Sequence, residues 1–202
     1  MRTERFFQMQ DVTTRTDDNG EPILEGLFAV YDSVYHVYDG ATESIARGAF
    51  TESIGGDVRA LYNHNDDLVL GRTSAGTLEL RDTDAGLWGR IKINKDDTAA
   101  MDAYARISRG DVTGCSFGFE IEDESVAVRD DGSVHWTITK VNPLWEVSPC
   151  VFPAYEATHI SARGKDLEAI RVRQLQAAKE KALRALKGDK NGIESSDASE
   201  TD

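Results

Sequence analysis

Residues 77–93, TLELRDTDAGLWGRIKI, decide the fold class. The segments 77–80 and 87–93 alternate apolar and polar side chains with the period of two that is typical of half-buried β-strands. The loop residues 82–86 between them end in Gly86, a residue type that readily adopts the left-handed backbone conformation that hairpin loops require. This stretch therefore predicts a β-hairpin.

The same alternation continues in other parts of the chain. Strand patterns occur at 24–31 after the turn signal DDNG, at 116–121, and at 134–138 after the turn signal DDG. A helix is predicted between an N-cap at Asp96 or Asp97 and a stop at Gly110, with Ala100, Tyr104 and Ile107 on one face. A shorter helix is predicted over 46–54. The sequence therefore predicts a β-rich barrel or folded sheet with a few helices packed outside it.

Charge divides the chain into three segments. Residues 1–164 carry the whole formal net charge of -13, because the +4 of residues 165–188 and the -4 of residues 189–202 cancel. Residues 165–188 have the apolar period of an amphipathic helix that ends at Gly188. The last segment has almost no large apolar side chains, which is typical of disorder. We predict a core domain over 1–164, a basic amphipathic helix and an acidic disordered tail.

Composition excludes several classes of protein. The acidic balance repels phosphate backbones, so we expect no nucleic-acid partner. No apolar run approaches the roughly 20 residues of a membrane span, and the charged first residues do not resemble a signal peptide. Cys115 and Cys150 fit free buried thiols of a reducing compartment. We expect a soluble cytosolic protein with no membrane partner.

Neither a metal nor a nucleotide site is visible in the sequence. No CxxC, HxxxH or HExxH motif occurs, and the two cysteines have no neighbouring ligand at a metal-site spacing. The glycines form neither a P-loop nor a GxGxxG motif. We therefore expect no cofactor and no metal.

His64 is the strongest candidate for chemistry among the four histidines. It lies at the end of an apolar strand, where polar residues begin abruptly, and strand ends are places where folds present reactive side chains. His36 and His159 fit ordinary loop or partly buried positions. His135 alternates on a strand beside Trp136, which favours a structural role.

A serine and an acid lie on other strand segments. Ser116 is flanked by Gly114 and Gly118, which leave room for another backbone, whereas Cys115 is a rival nucleophile whose predicted face is the core. Glu146 interrupts an apolar run, where a buried carboxylate requires a partner, although an exposed strand position explains it equally well. A nucleophilic serine needs a base and the base needs an orienting group. His64, Ser116 and Glu146 are therefore a hypothetical triad.

An ordered set of motifs resembles a known family. The motifs are FAVY at 28–31, GAF at 48–50, LYNHN at 61–65, LGRT at 70–73, GTL at 76–78, GL at 86–87, CSFGF at 115–119, LWEVSP at 144–149 and PA at 153–154. Together they resemble the prohead proteases of tailed phages, the HK97-type capsid maturation proteases. That family is similar in fold to the herpesvirus assemblin proteases. The resemblance implies a mostly β fold with peripheral helices, built on a partly closed, mostly antiparallel β-barrel of the herpesvirus-protease type.

The resemblance also implies roles and partners. His64 aligns with the family's general base, Ser116 with its nucleophile and Glu146 with its acid; His135 is the alternative third member, because the herpesvirus relatives use a second histidine. The substrates would be the capsid scaffold, or the scaffold-like N-terminal region of the major capsid protein, and the enzyme itself. The reaction would take place inside the immature capsid in the host cytoplasm. The herpesvirus relatives dimerise, so a homodimer is a further expectation.

Some alternatives stay open at this stage. The chain fits a catalytically inactive capsid-assembly or scaffolding β-domain, and less well a hydrolase of small esters. The 165–202 segment fits either a surface helix with a solvated end or a scaffold-like segment that targets the enzyme to the prohead. Arg72 is a candidate for a charge that supports the oxyanion hole.

Overall fold

The computed structural model describes residues 3–8 and 10–152, together with 172, 175, 176 and 179. The chain forms two compact units, Met1–Glu156 and Ala157–Asp202. In the second unit the four described residues are helical, and Val172 and Leu175 are exposed. His159, the rest of the predicted basic helix and the acidic tail lie outside the described residues.

The first unit is mostly β, as the alternation predicted. Its described residues form eleven strands and one α-helix, with a single 3-10 turn at Ser53–Gly55. The elements are β1 (Thr3–Gln8), β2 (Gln10–Thr16), β3 (Pro22–Val30), β4 (Tyr35–Tyr38), β5 (Ala41–Ile45), β6 (Arg59–Tyr62), β7 (Asn65–Arg72), β8 (Leu78–Asp82), β9 (Gly86–Lys92), α1 (Thr98–Arg109), β10 (Gly114–Val128) and β11 (Val134–Cys150).

The strands form two sheets. The larger has the order β1-β10-β11-β5-β4, with β6 on β11 and β7 on β6; the smaller has the order β2-β3-β9-β8. The strand pairs are antiparallel except that β5 and β6 both run parallel to β11. The 17-residue β11 thus contacts β10 along one edge and two short strands along the other. The partly closed barrel stays a prediction.

The predicted hairpin is confirmed as β8 and β9. The backbone N–H of Thr83 donates to the carbonyl of Gly86, and that of Gly86 donates to the carbonyl of Thr83. Gly86 has a φ of +152°, and a Cβ at this position would lie 1.9 Å from the carbonyl oxygen of Ala29. The glycine is therefore required both by its backbone conformation and by the close approach of β3.

One of the two helices predicted within the first unit forms. The Asp97 side chain accepts hydrogen bonds from the N–H groups of Ala99 and Ala100, and Gly110 ends α1 with a φ of +84°. Ala100, Ala103 and Ile107 are buried. The helix predicted over 46–54 was wrong: those residues form turns and the start of the 3-10 turn, because Gly48 has a φ of +79° that a right-handed helix cannot accommodate.

The inward face of β10 is part of the hydrophobic core. Cys115, Phe117 and Phe119 are fully buried, and the Phe117 and Phe119 ring centroids are 4.8 Å apart. The Cys115 thiol donates to the carbonyl of Phe28 in the smaller sheet, with the sulfur 3.0 Å from the oxygen. Burying each phenylalanine contributes about 1.5–3 kcal/mol to folding. The alternation of β10 then leaves Ser116 and Gly118 on the opposite face.

Candidate active site

His64 lies in the two-residue turn that joins β6 to β7. Tyr62 pairs with Asn65, and the two central residues, Asn63 and His64, have φ values of +54° and +58°. Positive φ at both central positions is the hallmark of the type I′ hairpin turn, for which asparagine is a favoured first residue. For histidine the left-handed conformation costs about 1–2 kcal/mol. Backbone strain of this kind is concentrated at functional sites.

Asn63 fixes the turn to the end of β11. Its backbone N–H donates to the carbonyl of Pro149 at 3.0 Å, and its Oδ1 accepts from the N–H of Val151 at 2.9 Å. Because Asn63 precedes His64 directly, these two bonds set the position of the imidazole relative to β11.

A β-bulge at Trp145 determines where Glu146 points. Gly118 pairs with Glu146, but the next residue of β10, Phe119, pairs with Leu144. Trp145 is therefore an extra residue of β11 with no partner position on β10. The extra residue shifts the alternation, and Trp145 is 42% exposed while Glu146 is 2% exposed. After the bulge Glu146 and Ser148 lie on one face, and Val147 packs in the core between them.

The register of β10 and β11 brings Ser116 to the same face. Ser116 pairs with Ser148, and Gly118 pairs with Glu146. Directly opposed side chains in an antiparallel pair lie on the same face, and the diagonal from Ser116 to Glu146 spans roughly 7–8 Å between Cα atoms. Gly118 has no side chain to fill the space between the serine and the carboxylate. Gly114 and Gly118 thus place no side chain beside Ser116 along this strand.

Two hydrogen bonds join the polar side chains of this face. His64 Nδ1 lies 2.8 Å from Glu146 Oε1, and the Ser148 hydroxyl donates to Glu146 Oε2 at 2.5 Å. With Nδ1 turned to the carboxylate, Nε2 is the ring nitrogen directed away from it. Ser116 Oγ is buried and has no hydrogen-bond partner in the described part of the chain. Ser148 Oγ, by contrast, is already bonded to the carboxylate.

The structure therefore brings together His64, Ser116 and Glu146 and separates them from the other candidates. Cys115 points into the core, as its predicted face required. His135 lies at the opposite end of β11, where its two ring nitrogens are 2.8 Å from Thr42 Oγ1 and 2.9 Å from Ser44 Oγ. His36 is an exposed residue of β4.

Arg72 is held by an acid on the rim of the larger sheet. Its Nε lies 2.8 Å from Asp57 Oδ1, and its Nη2 lies 2.5 Å from Oδ2. These hydrogen bonds, with a further one from Ser74, hold the pKa of Asp57 well below its usual range. The positive charge of Arg72 is thus paired within the protein.

Within the described ranges, no group of three or more histidine, cysteine, aspartate or glutamate side chains is arranged to hold a metal ion. Nor does that part of the chain contain a helix with the length and apolarity to cross a membrane. The face around Glu146 carries the hydroxyls of Ser116 and Ser148, the imidazole of His64 and the carboxylate of Glu146.

Comparison with protein families identifies the lineage of this arrangement. The model of the caudovirus prohead serine proteases matches residues 10–173, which include every strand except β1 and all three side chains. The chain belongs to this family. The match also extends past residue 164, where the charge pattern predicted the end of the core domain.

Comparisons with individual proteins add little to the family assignment. Among solved structures, the bacteriophage T4 capsid assembly protease, gp21, aligns with a TM-score of 0.47 and 13% identity, over 75% of this chain and 98% of that chain. No curated protein matches the sequence. Membership of the prohead serine protease family rests on the family model alone.

Two residues of this candidate site were not predicted from the sequence. Ser148 was visible only as part of the LWEVSP motif, and a serine on a strand has no pattern that indicates a bond to the residue two positions before it. Asn63 carried a usable signal, because an asparagine at the end of a strand pattern is typical of a type I′ turn.

Proposed function

We propose that this chain is a serine endopeptidase of phage prohead maturation, with Ser116 as nucleophile, His64 as general base and Glu146 as the acid that orients the base. The observation that carries the proposal is the 2.8 Å contact between His64 Nδ1 and Glu146 Oε1 on the face that also holds Ser116. Membership of a serine protease family supports the same assignment.

In the proposed reaction, His64 Nε2 takes the proton of Ser116 as Oγ attacks the carbonyl carbon of the scissile peptide bond. Glu146 holds the ring in the tautomer that leaves Nε2 available and stabilises the imidazolium that forms. His64 then gives the proton to the departing amine, and the acyl group stays on Ser116. A water molecule, deprotonated by His64, hydrolyses this ester and restores the serine.

The isolated chain presents this machinery in a closed form. Ser116 is fully buried, and no hydrogen bond links its hydroxyl to His64. A substrate carbonyl therefore reaches Oγ only after the residues that cover it separate. Catalytic hydrogen bonds are often long or poorly aligned without substrate and tighten in the bound complex.

The proposed substrates are the capsid scaffold, or the scaffold-like N-terminal region of the major capsid protein, and the chain itself. The proposed place of action is the inside of the immature capsid in the host cytoplasm. Membership of a family of prohead serine proteases supports both proposals. The partly closed barrel belongs to the same proposal, and the bond from Cys115 of β10 to Phe28 of β3 supports it by joining the two sheets.

A second function has one observation in its favour. An inactive capsid-assembly domain needs no accessible nucleophile, and Ser116 is inaccessible in this structure. The retention of all three polar side chains on one face favours the enzyme.

The test is the intact mass of the purified chain over several days, beside Ser116→Ala and the control Ser53→Ala. Ser53 is another buried serine, but its hydroxyl donates to the carbonyl of Phe50 away from this face. We expect shortening of the wild type and of Ser53→Ala, and a rate at least about 10⁴-fold lower in Ser116→Ala. Equal trimming of all three would point to a contaminating protease and contradict the assignment. If none changes, co-expression with the major capsid protein decides, because an inactive assembly domain leaves that protein uncut as well.

A further inference from the structure

A pocket of about 460 Å³ adjoins the proposed active site. Its lining residues are Arg59, Leu61, Asp66, Val69, Glu120, Trp145 and Glu146. The β6–β7 hairpin, which carries His64 in its turn, supplies four of them, and β11 supplies Glu146 together with its neighbour Trp145. Because the same two elements hold the proposed base and acid, substrate residues close to the scissile bond would lie beside this pocket.

The charged side chains of the pocket do not need a ligand as their partner. Both oxygens of Glu146 are bonded within the protein. Arg59 is held by Asp57, with Nη2 3.2 Å from Oδ2, and Glu120 also interacts with a neighbouring group. Asp66 is exposed, so water solvates its carboxylate. A charged ligand group would lose hydration here without finding an uncompensated opposite charge.

The apolar side chains of the pocket are the groups that gain from contact with a ligand. Leu61 on β6 pairs with Val69 on β7, and Trp145 is the extra residue of β11. Leu61 is buried, whereas Val69 is 45% exposed and Trp145 is 42% exposed. Covering them contributes about 25 cal/mol for each Å² of apolar surface removed from water. The free energy of binding in this pocket therefore favours an apolar group.

We propose that this pocket binds one large apolar side chain (leucine, methionine or phenylalanine) of the polypeptide substrate, close to the bond that is cut. The side chain lies against Leu61, Val69 and Trp145. A pocket of this volume is typical of sites for a small ligand group, whereas a folded partner would cover roughly 800 Å² of surface. As a statement about cleavage specificity this rests on the proposed protease function; as a statement about binding it does not.

Binding is tested without turnover, on full-length Ser116→Ala labelled with ¹⁵N. The indole N–H signal of Trp145, identified by its loss in Trp145→Phe, is followed during titration with Ac-Ala-Ala-Leu-Ala-Ala-NH₂ and with its asparagine, lysine and glutamate analogues. Asparagine has nearly the shape of leucine but is polar. We expect the leucine peptide to shift this signal at millimolar concentration and the three analogues to shift it far less.

Two valines of equal exposure provide a matched pair of variants. Val69→Thr keeps the shape and the strand preference of the side chain but replaces one methyl of the pocket wall by a hydroxyl, and we expect it to weaken leucine-peptide binding about fourfold. Val126 is also 45% exposed, on β10 and outside the pocket, so Val126→Thr should leave binding unchanged. Equal binding by the two variants, an equal shift by the asparagine or lysine peptide, or no shift at all would overturn the proposal.

Cleavage specificity is then read from tryptic peptides of a bacterial lysate, digested by the wild type and analysed by mass spectrometry. Enrichment of leucine, methionine and phenylalanine at one fixed position, reduced in Val69→Thr and kept in Val126→Thr, is the expected result. Cleavage without such enrichment would overturn the specificity. Leucine-peptide binding without any cleavage, here or of the capsid protein, would instead contradict the protease assignment and retain the pocket as a binding site.

Discussion

Glu146 is the residue on which the site depends, because both of its oxygens are bonded. His64 lies against Oε1 and the Ser148 hydroxyl donates to Oε2. A buried carboxylate needs such partners to stay charged. Ser148 therefore fixes the rotation of the carboxylate, and through it the direction of the imidazole.

Ser148→Ala removes one of these hydrogen bonds from a carboxylate that is only 2% exposed. We expect a loss of about 1–3 kcal/mol in the free energy of unfolding and a kcat that falls about tenfold with little change in KM. Urea unfolding and peptidase kinetics measure the two effects. Ser53→Ala should lose a similar free energy and keep its kcat; an unchanged kcat in Ser148→Ala would mean that the hydroxyl has no positioning role.

At the scale of single residues, the sequence indicated those whose chemistry is unusual for their position. A histidine at a strand end, a serine between glycines and an acid in an apolar run were each visible as exceptions to a pattern. Ser148 was not, because no pattern indicates a bond from a strand serine to the residue two positions before it. Asn63 carried the signal of a type I′ turn, but its bonds to Pro149 and Val151 depend on which strands lie side by side.

The β6–β7 hairpin is the element that carries His64, and its two-residue turn is held by Asn63. Asn63→Ala removes the acceptor for Val151 and places a residue that disfavours the left-handed conformation in the turn. We expect a loss of about 2 kcal/mol in unfolding free energy, together with a lower kcat because His64 is less well placed.

Asn63→Gly is the matched variant, because glycine accepts the positive φ but has no Oδ1. It should recover most of the stability lost in Asn63→Ala while keeping part of the kcat defect. If the two variants are equally active and equally stable, neither the turn conformation nor the bond to Val151 positions His64.

The β8–β9 hairpin allows a second test, at Gly86. A Cβ there would lie 1.9 Å from the Ala29 carbonyl oxygen. We therefore expect Gly86→Ala to lower the free energy of unfolding by about 3 kcal/mol or more. Gly76→Ala is the control, because Gly76 also has a positive φ, +69°, but a Cβ on it would meet no atom within 4 Å. Gly76→Ala should lower the free energy of unfolding by only about 1–2 kcal/mol. Equal midpoints in thermal unfolding would contradict the close approach of β3.

Alternation predicted β3, β8, β9 and the start of β10, and caps predicted α1, because those signals are local. The bulge at Trp145 was hidden, since it appears in the sequence only as an interruption of the alternation. The helix expected over 46–54 does not form, because Gly48 adopts a turn conformation with a φ of +79°.

At the scale of the whole molecule, some of the many acids form ion pairs with arginines of neighbouring strands. Glu25 on β3 is bonded by Arg15 of β2, with Nε 3.1 Å from Oε1, and by Arg90 of β9, with Nε 2.7 Å from Oε2. The bond from Arg15, followed by that from Arg90, lowers the pKa of Glu25 from its ordinary value. One carboxylate thus links three of the four strands of the smaller sheet.

This pairing predicts a pH dependence. A carboxylate whose pKa is lower in the folded than in the unfolded state adds stability above its unfolded pKa and loses it as the pH falls through the folded one. Between pH 6 and pH 3, Glu25→Gln should therefore lose less unfolding free energy than the wild type, by up to about 1 kcal/mol. Asp123→Asn, on an exposed position of β10, should follow the wild type. Parallel curves for Glu25→Gln and the wild type would contradict the pairing.

The parallel pairing of β11 affects the order in which the paired strands become available during synthesis. Its partners β5 and β6 are made early in synthesis, but they bond to residues that are translated much later, with Ala41 paired to Val134 and Arg59 paired to Glu146. Pairings between distant segments form slowly and late. A nascent chain therefore holds His64 long before it holds Glu146, the acid proposed to orient it. The proposed triad is incomplete until the β11 segment has been translated.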